Sequence, residues 1–333
     1  MLDLALANLL SPLLLSFVLG AVAVLLRSDL RFPEPVFNAL SIYLMLSIGL
    51  RGGVELSHLS PRTFAAPGLA ALGLGVMIPL WCYALLRAVG RFGAADAAAV
   101  AAHYGSVSAV TFVAALAFLD AGGTPYEGYV PALLAIMEVP AIVVALALAR
   151  AGGAMGGGGT IGTSTGGAST GAAALREILA GKSVLLLVGG LAIGAVVGEA
   201  GYARVKPLFT DLFQGALCLF LLELGMLAAG RLADFRRVGP FLAAFAVVMP
   251  VLHGVLGVAV AHAIGMSVGG ATVLGTLAAS ASYIAAPAAV RLALPQANPG
   301  YYLTASLAIT FPFNLTLGLP LYHALARWMA GVQ

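Results

Sequence analysis

Apolar residues in this chain run in long unbroken blocks, separated by short polar stretches. The blocks predict ten helical spans, at about 9–26, 35–50, 64–87, 97–119, 128–149, 183–198, 207–230, 240–264, 269–291 and 302–328. Most reach the ~18 residues that an apolar helix needs to cross a bilayer, and strand-length alternation of polarity is absent, which excludes an outer-membrane barrel. The expected fold class is therefore an all-α polytopic membrane protein. One span is broken from within. In "LAASASYIAAPAAV", Leu277 to Val290, the hydroxyls of Ser280 and Ser282, then Tyr283 and Pro287, interrupt the apolar run. Proline lacks an N–H and crowds the carbonyl four residues back, so the helix is expected to kink or break there. In lipid such a break persists only where it is buried in protein or lines a polar cavity. The earlier stretch "HYGSVSAVTFVAAL", His103 to Leu116, is its counterpart, with Gly105, Ser106, Ser108 and Thr111 in its middle.

The two halves of the chain resemble each other. "LSIGLRGGVEL" (Leu46–Leu56) aligns with "LELGMLAAGRL" (Leu222–Leu232), and the same offset sets Ser106 on Ser282 and Thr111 on Pro287. Pro79 pairs with Pro250, and "EVP" (Glu138–Pro140) with "TFP" (Thr310–Pro312). Between the halves lies a Gly, Ser and Thr stretch, Ala151 to Ala174, that carries no charge and reads as a flexible linker. The expected organisation is a first five-helix repeat over 1–150, a cytoplasmic linker over 151–182 and a second repeat over 183–333. Five spans is an odd number, so the second repeat is inverted in the membrane, and the interrupted helices would cross at the midplane.

Composition agrees and adds an orientation. The chain is 61% hydrophobic and 9% charged, with mean hydropathy +1.04, against roughly 25% charged residues in soluble domains. Its net charge of +3 is spread over loops and does not suggest nucleic acid. The odd-numbered loops hold Arg27, Arg31, Arg87, Arg91, Arg150, Arg176, Lys182, Arg231, Arg236, Arg237 and Arg291, against Arg51, Arg62, Arg204, Lys206 and Arg327 elsewhere. By the positive-inside rule the odd loops are cytoplasmic and both termini extracytoplasmic, as for a multi-pass protein of the cell inner membrane. The N-terminus has no basic start or clear cleavage site and reads as a retained first helix, not a signal peptide. Cys82 and Cys218 fall in apolar spans and read as packing residues.

The candidate chemistry follows from depth. Ser108 and Ser282 each lie about 12 residues into their spans, or ~18 Å at 1.5 Å per residue, which is the midplane approached from opposite sides. A helix restarted after each break points free N–H groups and a partial positive charge there, which makes an anion site without a buried Lys or Arg. Gly105, Ser106, Ser108, Thr111, Ser280, Ser282 and Tyr283 are the candidate substrate-binding residues. The alternative is that the hydroxyls bond their own helix carbonyls and let helices pack closely. Glu138 sits mid-span, where an acid costs on the order of 2.5–3.5 kcal/mol on insertion scales. It is a candidate cation ligand or proton carrier. Thr310 and Asn314, on the matching helix, and Ser108 add neutral oxygens suited to sodium. Glu223 reads as structural or interfacial, and His103 and His253 as core histidines. No spacing here fits a metal cluster, a catalytic triad or a phosphate loop, so no enzyme is expected.

In order and spacing, "YGSVSAVTFVAAL", "MEVPAIVVALA", "LELGMLAAGRLADFRRV", "MPVLHG" and "RLALPQANP" resemble the sodium-dependent bicarbonate transporters of cyanobacterial type, the SbtA-like permeases. The similarity covers nearly the whole chain apart from the Gly-rich linker. It implies ten spans as an inverted repeat, a homotrimer, and elevator-like movement of a core domain (spans 3–5 and 8–10) against a gate domain (spans 1–2 and 6–7). It implies symport of bicarbonate with Na+ as coupling ion, both bound between the interrupted helices. It also implies a PII-like cytoplasmic regulator. Three positions depart from the family pattern: Ala281 stands where the relatives have Ser, Tyr283 where they have Asp, and Glu138 where they have Asp. The expected function is sodium-coupled import of bicarbonate or a related small anion. A proton-coupled carboxylate carrier and a transport-deficient membrane sensor on the same fold are the alternatives.

Overall fold

The structure, a computed structural model, describes residues 9–57, 61–154, 180–231 and 235–332. The expectations placed on the Gly-rich linker fall almost entirely outside them. Every regular element among the described residues is helical. In chain order they are α1 (Pro12–Leu25), α2 (Glu34–Ser57), α3 (Pro61–Ala88), α4 (Ala94–Gly105), α5 (Ala109–Ala121), α6 (Val130–Glu138) and α7 (Pro140–Ala151). Then come α8 (Lys182–Tyr202), α9 (Phe213–Gly230), α10 (Phe235–Ala263), α11 (Val268–Ala279), α12 (Ala285–Ala293) and α13 (Pro299–Met329). Eight stretches of the described residues are long and apolar enough to cross a membrane, with α4–α5 and α6–α7 each taken as one. Pro12–Leu25 and Val268–Ala279 are shorter apolar helices.

Local chemistry explains the ends. Ser11 caps α1 by accepting from the Leu14 N–H at 3.2 Å, and Pro12 occupies the first turn, where its missing N–H costs nothing. α2 runs seven residues past the apolar block that announced it, to Ser57, because Arg51 and Glu55 extend the helix beyond its apolar part. The seventh predicted span starts later than expected. Pro207–Asp211 forms a π turn and α9 begins only at Phe213. α13 contains two π stretches, Thr304–Thr310 and Asn314–Gly318, flanking Phe311–Phe313. Pro312 removes one backbone donor there, and wider turns of this kind recur at functional positions.

α1 packs along α9 and α2 along α8, while α3 lies on α4, α6 and α7, and α10 on α11 and α13. Two carboxylates fasten helix starts from across the fold. Glu127, just before α6, accepts from the Ser267 N–H (2.7 Å) and the Ser267 hydroxyl (3.0 Å) at the start of α11. Asp96, in the first turn of α4, accepts from the Asn298 N–H (2.7 Å) at the start of α13. All three bonds are charge-assisted, and the Glu127 pair also favours the positive end of α11. Glu127→Gln keeps one acceptor and loses the charge, so unfolding in detergent is expected to become easier by about 1.5–3 kcal/mol. Unchanged thermal stability would remove Glu127 from the list of anchors.

Candidate functional site

Both interrupted spans break in extended backbone. α4 ends at Gly105, Ser106 is extended (φ −87°, ψ 148°), and α5 restarts with Ser108 as its cap. α11 ends at Ala279, Ser280 is extended (φ −76°, ψ 161°), and α12 restarts at Ala285. Pro287 lies in the first turn of α12, where no N–H is needed, so the break comes just before it. Ser108 Oγ accepts from the Thr111 N–H at 3.2 Å, and Ser282 Oγ accepts from the Ala286 N–H at 3.2 Å. Ser108 is thus the N-cap of α5, while α12 starts from Ile284 and has one first-turn N–H taken by Ser282, two residues earlier.

The two breaks lie against each other. The Ser282 N–H donates to the carbonyls of His103 (2.7 Å) and Ser106 (3.1 Å), and the Ser108 N–H donates to Ser280 Oγ (2.9 Å). Ser280 Oγ in turn donates to the Leu277 carbonyl at 2.8 Å. Carbonyls and N–H groups released by one break are thus satisfied by the other, as buried backbone requires. This differs in detail from a pair of helix ends with all their N–H groups free: the Ser108, Thr111 and Ala286 donors are occupied. Gly105 closes the crossing from behind. A Cβ there would stand 2.6 Å from Pro79 Cδ and 2.8 Å from Ala141 Cβ, so a larger residue cannot enter without moving α3 or α7.

The remaining candidates gather at the edges of this crossing. Ser106 Oγ donates to the backbone carbonyl of Glu138 at 3.0 Å, and the Glu138 side chain is 4% exposed. On the opposite side, Asn314 Nδ2 donates to the Ala279 carbonyl at 2.9 Å, next to Ser280, and Asn314 Oδ1 accepts from the Tyr322 hydroxyl at 3.0 Å. Thr310 Oγ1 donates to the Ala246 carbonyl at 2.7 Å. That carbonyl is free because Pro250, four residues on, has no N–H to give it. The Tyr104 hydroxyl then donates to Thr310 Oγ1 at 2.7 Å. Among the described residues no hydrogen bond joins Glu138 to Thr310 or Asn314. Tyr104 and the Ala246 carbonyl are the members that sequence reasoning missed. The proline at 250 was the signal for the carbonyl.

The Tyr283 ring packs edge-on to Phe311 (centroids 5.1 Å apart), which packs edge-on to Phe17 of α1 (5.5 Å). Its hydroxyl is buried and meets no partner at hydrogen-bond geometry, although Ser108 stands close enough to act on it. Tyr283 lines neither of two cavities found at the boundary between α1, α2 and α9 and the helices around the crossing. One, of about 370 Å³, is mostly apolar and bounded by α1, α5, α9 and α13. The other, of about 520 Å³, is also lined mostly by apolar surface but takes in Arg51, Glu55 and Asp120. The two histidines are each half satisfied. His103 Nδ1 bonds the Ala99 carbonyl (2.6 Å) under a stacked Tyr302, and His253 Nε2 accepts from the Trp81 N–H (2.8 Å). Glu223 is buried, with Oε2 lacking a partner, and Cys82 and Cys218 are free thiols.

Residues 12–327, nearly the whole chain, match the family described as the Na+-dependent bicarbonate transporter superfamily. The chain belongs to that superfamily. No curated relative matches it. A Na+-dependent bicarbonate transporter of this superfamily is a multi-pass membrane protein and not an enzyme, and the absence of nucleophile–base geometry from the sequence reading has its explanation there. In this superfamily member the hydroxyls at the crossing, and Glu138, Thr310 and Asn314, are all buried among apolar helices.

Proposed function

We propose that the protein is a sodium-coupled symporter that imports bicarbonate or a related small anion, with the substrate held at the crossing of the two interrupted spans. The observation that carries this reading is the set of hydrogen bonds between the breaks, which holds two helix starts together in the interior of an apolar fold. Helix starts favour anions through their N–H groups and dipoles. Ser106, Ser108, Thr111, Ser280, Ser282 and the Gly105 backbone surround the anion in this proposal. Glu138, with Thr310, Asn314 and Ser108, supplies the sodium oxygens, an oxygen set that suits a hard cation.

Among the described residues, counting α4–α5, α6–α7 and α11–α12 as single spans gives five before the linker and five after it. This count supports the inverted repeat over 1–150 and 183–333. The pairing of α1 with α9 and α2 with α8, apart from the helices around the crossing, supports a gate domain beside a moving core and hence an elevator-type mechanism. Extracytoplasmic termini, assembly as a homotrimer and docking of a PII-like regulator on the cytoplasmic face belong to the same proposal. Reconstituted protein is expected to take up labelled bicarbonate down an inward sodium gradient. Uptake driven by a pH gradient in sodium-free buffer would favour the second reading, in which the buried Glu138 carries a proton.

Tyr283 sets the selectivity in this proposal. Its phenol donates to an anion, whereas a carboxylate there would repel one. Tyr283→Phe is expected to weaken anion binding by about 0.5–1.5 kcal/mol, the net worth of one hydrogen bond. Tyr283→Asp is expected to strengthen sodium dependence. Anion binding by the Phe variant equal to that of the parent would assign the ring to packing against Phe311 alone.

A further inference from the structure

The cavity of about 520 Å³ that takes in Arg51 lies apart from the crossing. Set among apolar wall residues, its polar groups come from the end of α2 (Arg51, Glu55), the end of α5 (Asp120), the segment before α6 (Thr124, Tyr126) and the π turn before α9 (Thr210). By the distribution of Lys and Arg, all of these belong to one membrane face, the extracytoplasmic one. The cavity shares Ala117 and Gln214 with the apolar cavity beside it, so the two run on from each other along the boundary between α2 and α9 on one side and α5 on the other.

Its chemistry is unusual for this chain, in which charged residues are 9% of the total. One guanidinium and two carboxylates converge on a single space. The Tyr126 hydroxyl is buried and meets no partner at hydrogen-bond geometry. Burial pushes its pKa up to about 12, with Arg51 pulling it down and Asp120 pushing it up, which places both charges within reach of the phenol. The Glu55 carboxylate lies against Gly128, where a Cβ would stand 2.5 Å from Glu55 Oε2. A volume of about 520 Å³ has room for a small oxyanion and several waters of about 30 Å³ each.

We propose that this cavity is an outer capture site for a small oxyanion such as bicarbonate, with Arg51 and the Tyr126 hydroxyl as its contacts and Glu55 and Asp120 as the place where sodium accompanies it. The proposal rests on the transport reading above and adds to it a second site, where the ions are gathered before they reach the crossing. Guanidinium and phenol are the donors that a planar oxyanion takes side by side. Two carboxylates against one guanidinium repel an anion that arrives alone. Sodium on the carboxylates lowers that repulsion, so the site favours the anion and cation together over either one. Opposed charges at a mouth also raise the local concentration of the ions that enter it.

The test is site-directed labelling, which needs no turnover. Thr124→Cys is introduced with Cys218→Ser, and its reaction with an anionic thiosulfonate reagent is timed in proteoliposomes. Sodium bicarbonate is expected to slow labelling several-fold, whereas potassium bicarbonate and sodium chloride at equal ionic strength leave it near the control rate. Arg51→Gln is expected to abolish the protection and slow the anionic reagent, and Arg51→Lys to restore part of both. Absence of protection, or equal protection in Arg51→Gln, overturns the site. Equal protection by the potassium salt overturns the part given to sodium. Protection without sodium-driven uptake rejects the transport reading and keeps the site, and uptake without protection does the reverse.

Discussion

Gly53→Leu is expected to prevent α2 and α8 from docking and to cost about 3 kcal/mol or more, the upper end of what over-packing costs. The helices meet backbone to backbone. A Cβ on Gly53 would collide with the Leu191 carbonyl and stand 2.9 Å from the Ala195 nitrogen. A Cβ on Gly194 would collide with the Leu50 carbonyl, and one on Gly190 would stand 2.9 Å from Gly49 Cα. Lipid tails are as apolar as leucine, so no hydrophobic gain draws these helices together, and close van der Waals contact has to hold them. A gap of 0.5–1 Å already forfeits roughly a quarter to a half of each contact's attraction. Leucine needs far more room than that, and the atoms in its way are backbone and cannot swing aside. Gly189→Ala on the same helix is the control, because nothing lies within 4 Å of its added Cβ. Thermal unfolding in detergent is expected to separate the two variants clearly. Equal stability would mean that α2 and α8 dock less closely than the structure has them.

Glu138→Gln is expected to abolish sodium-dependent stabilisation while leaving the fold intact. Glutamine keeps the shape and removes a charge that is costly among apolar helices, so stability without sodium is expected to stay level or rise. If Glu138 ligates the cation, sodium at a hundred times its dissociation constant stabilises the parent by about 2.7 kcal/mol, and the variant by almost none. Sodium-driven uptake is expected to fall at least about a hundredfold with the loss of that stabilisation. Melting temperature against sodium, with potassium at equal ionic strength, measures the first effect. A variant that still responds to sodium as the parent does would move the cation to the serine and threonine oxygens of the crossing. A parent that responds to pH instead of sodium would leave Glu138 as a proton carrier.

The sequence by itself determined the helical class, the places of the apolar blocks and the positions of both breaks. Each of these is a local property. Apolar length is read residue by residue, and Gly105, Ser106, Ser108, Ser280 and Ser282 offer backbone groups an alternative to the helix wherever they sit. The length of α2 and the late start of α9 were not legible, because Arg51 and Glu55 end an apolar block without ending a helix, and Pro207 begins a π turn instead. Only the tertiary structure decided what the breaks bond to. The Ser282 N–H reaches the carbonyls of His103 and Ser106, the Ala246 carbonyl freed by Pro250 takes the hydroxyl of Thr310, and Glu127 holds the start of α11. A proline announces that a carbonyl is free, but its partner is far away in the chain. Which helix carries that partner is settled by how close the glycines let the backbones come, and that is a property of the packed whole.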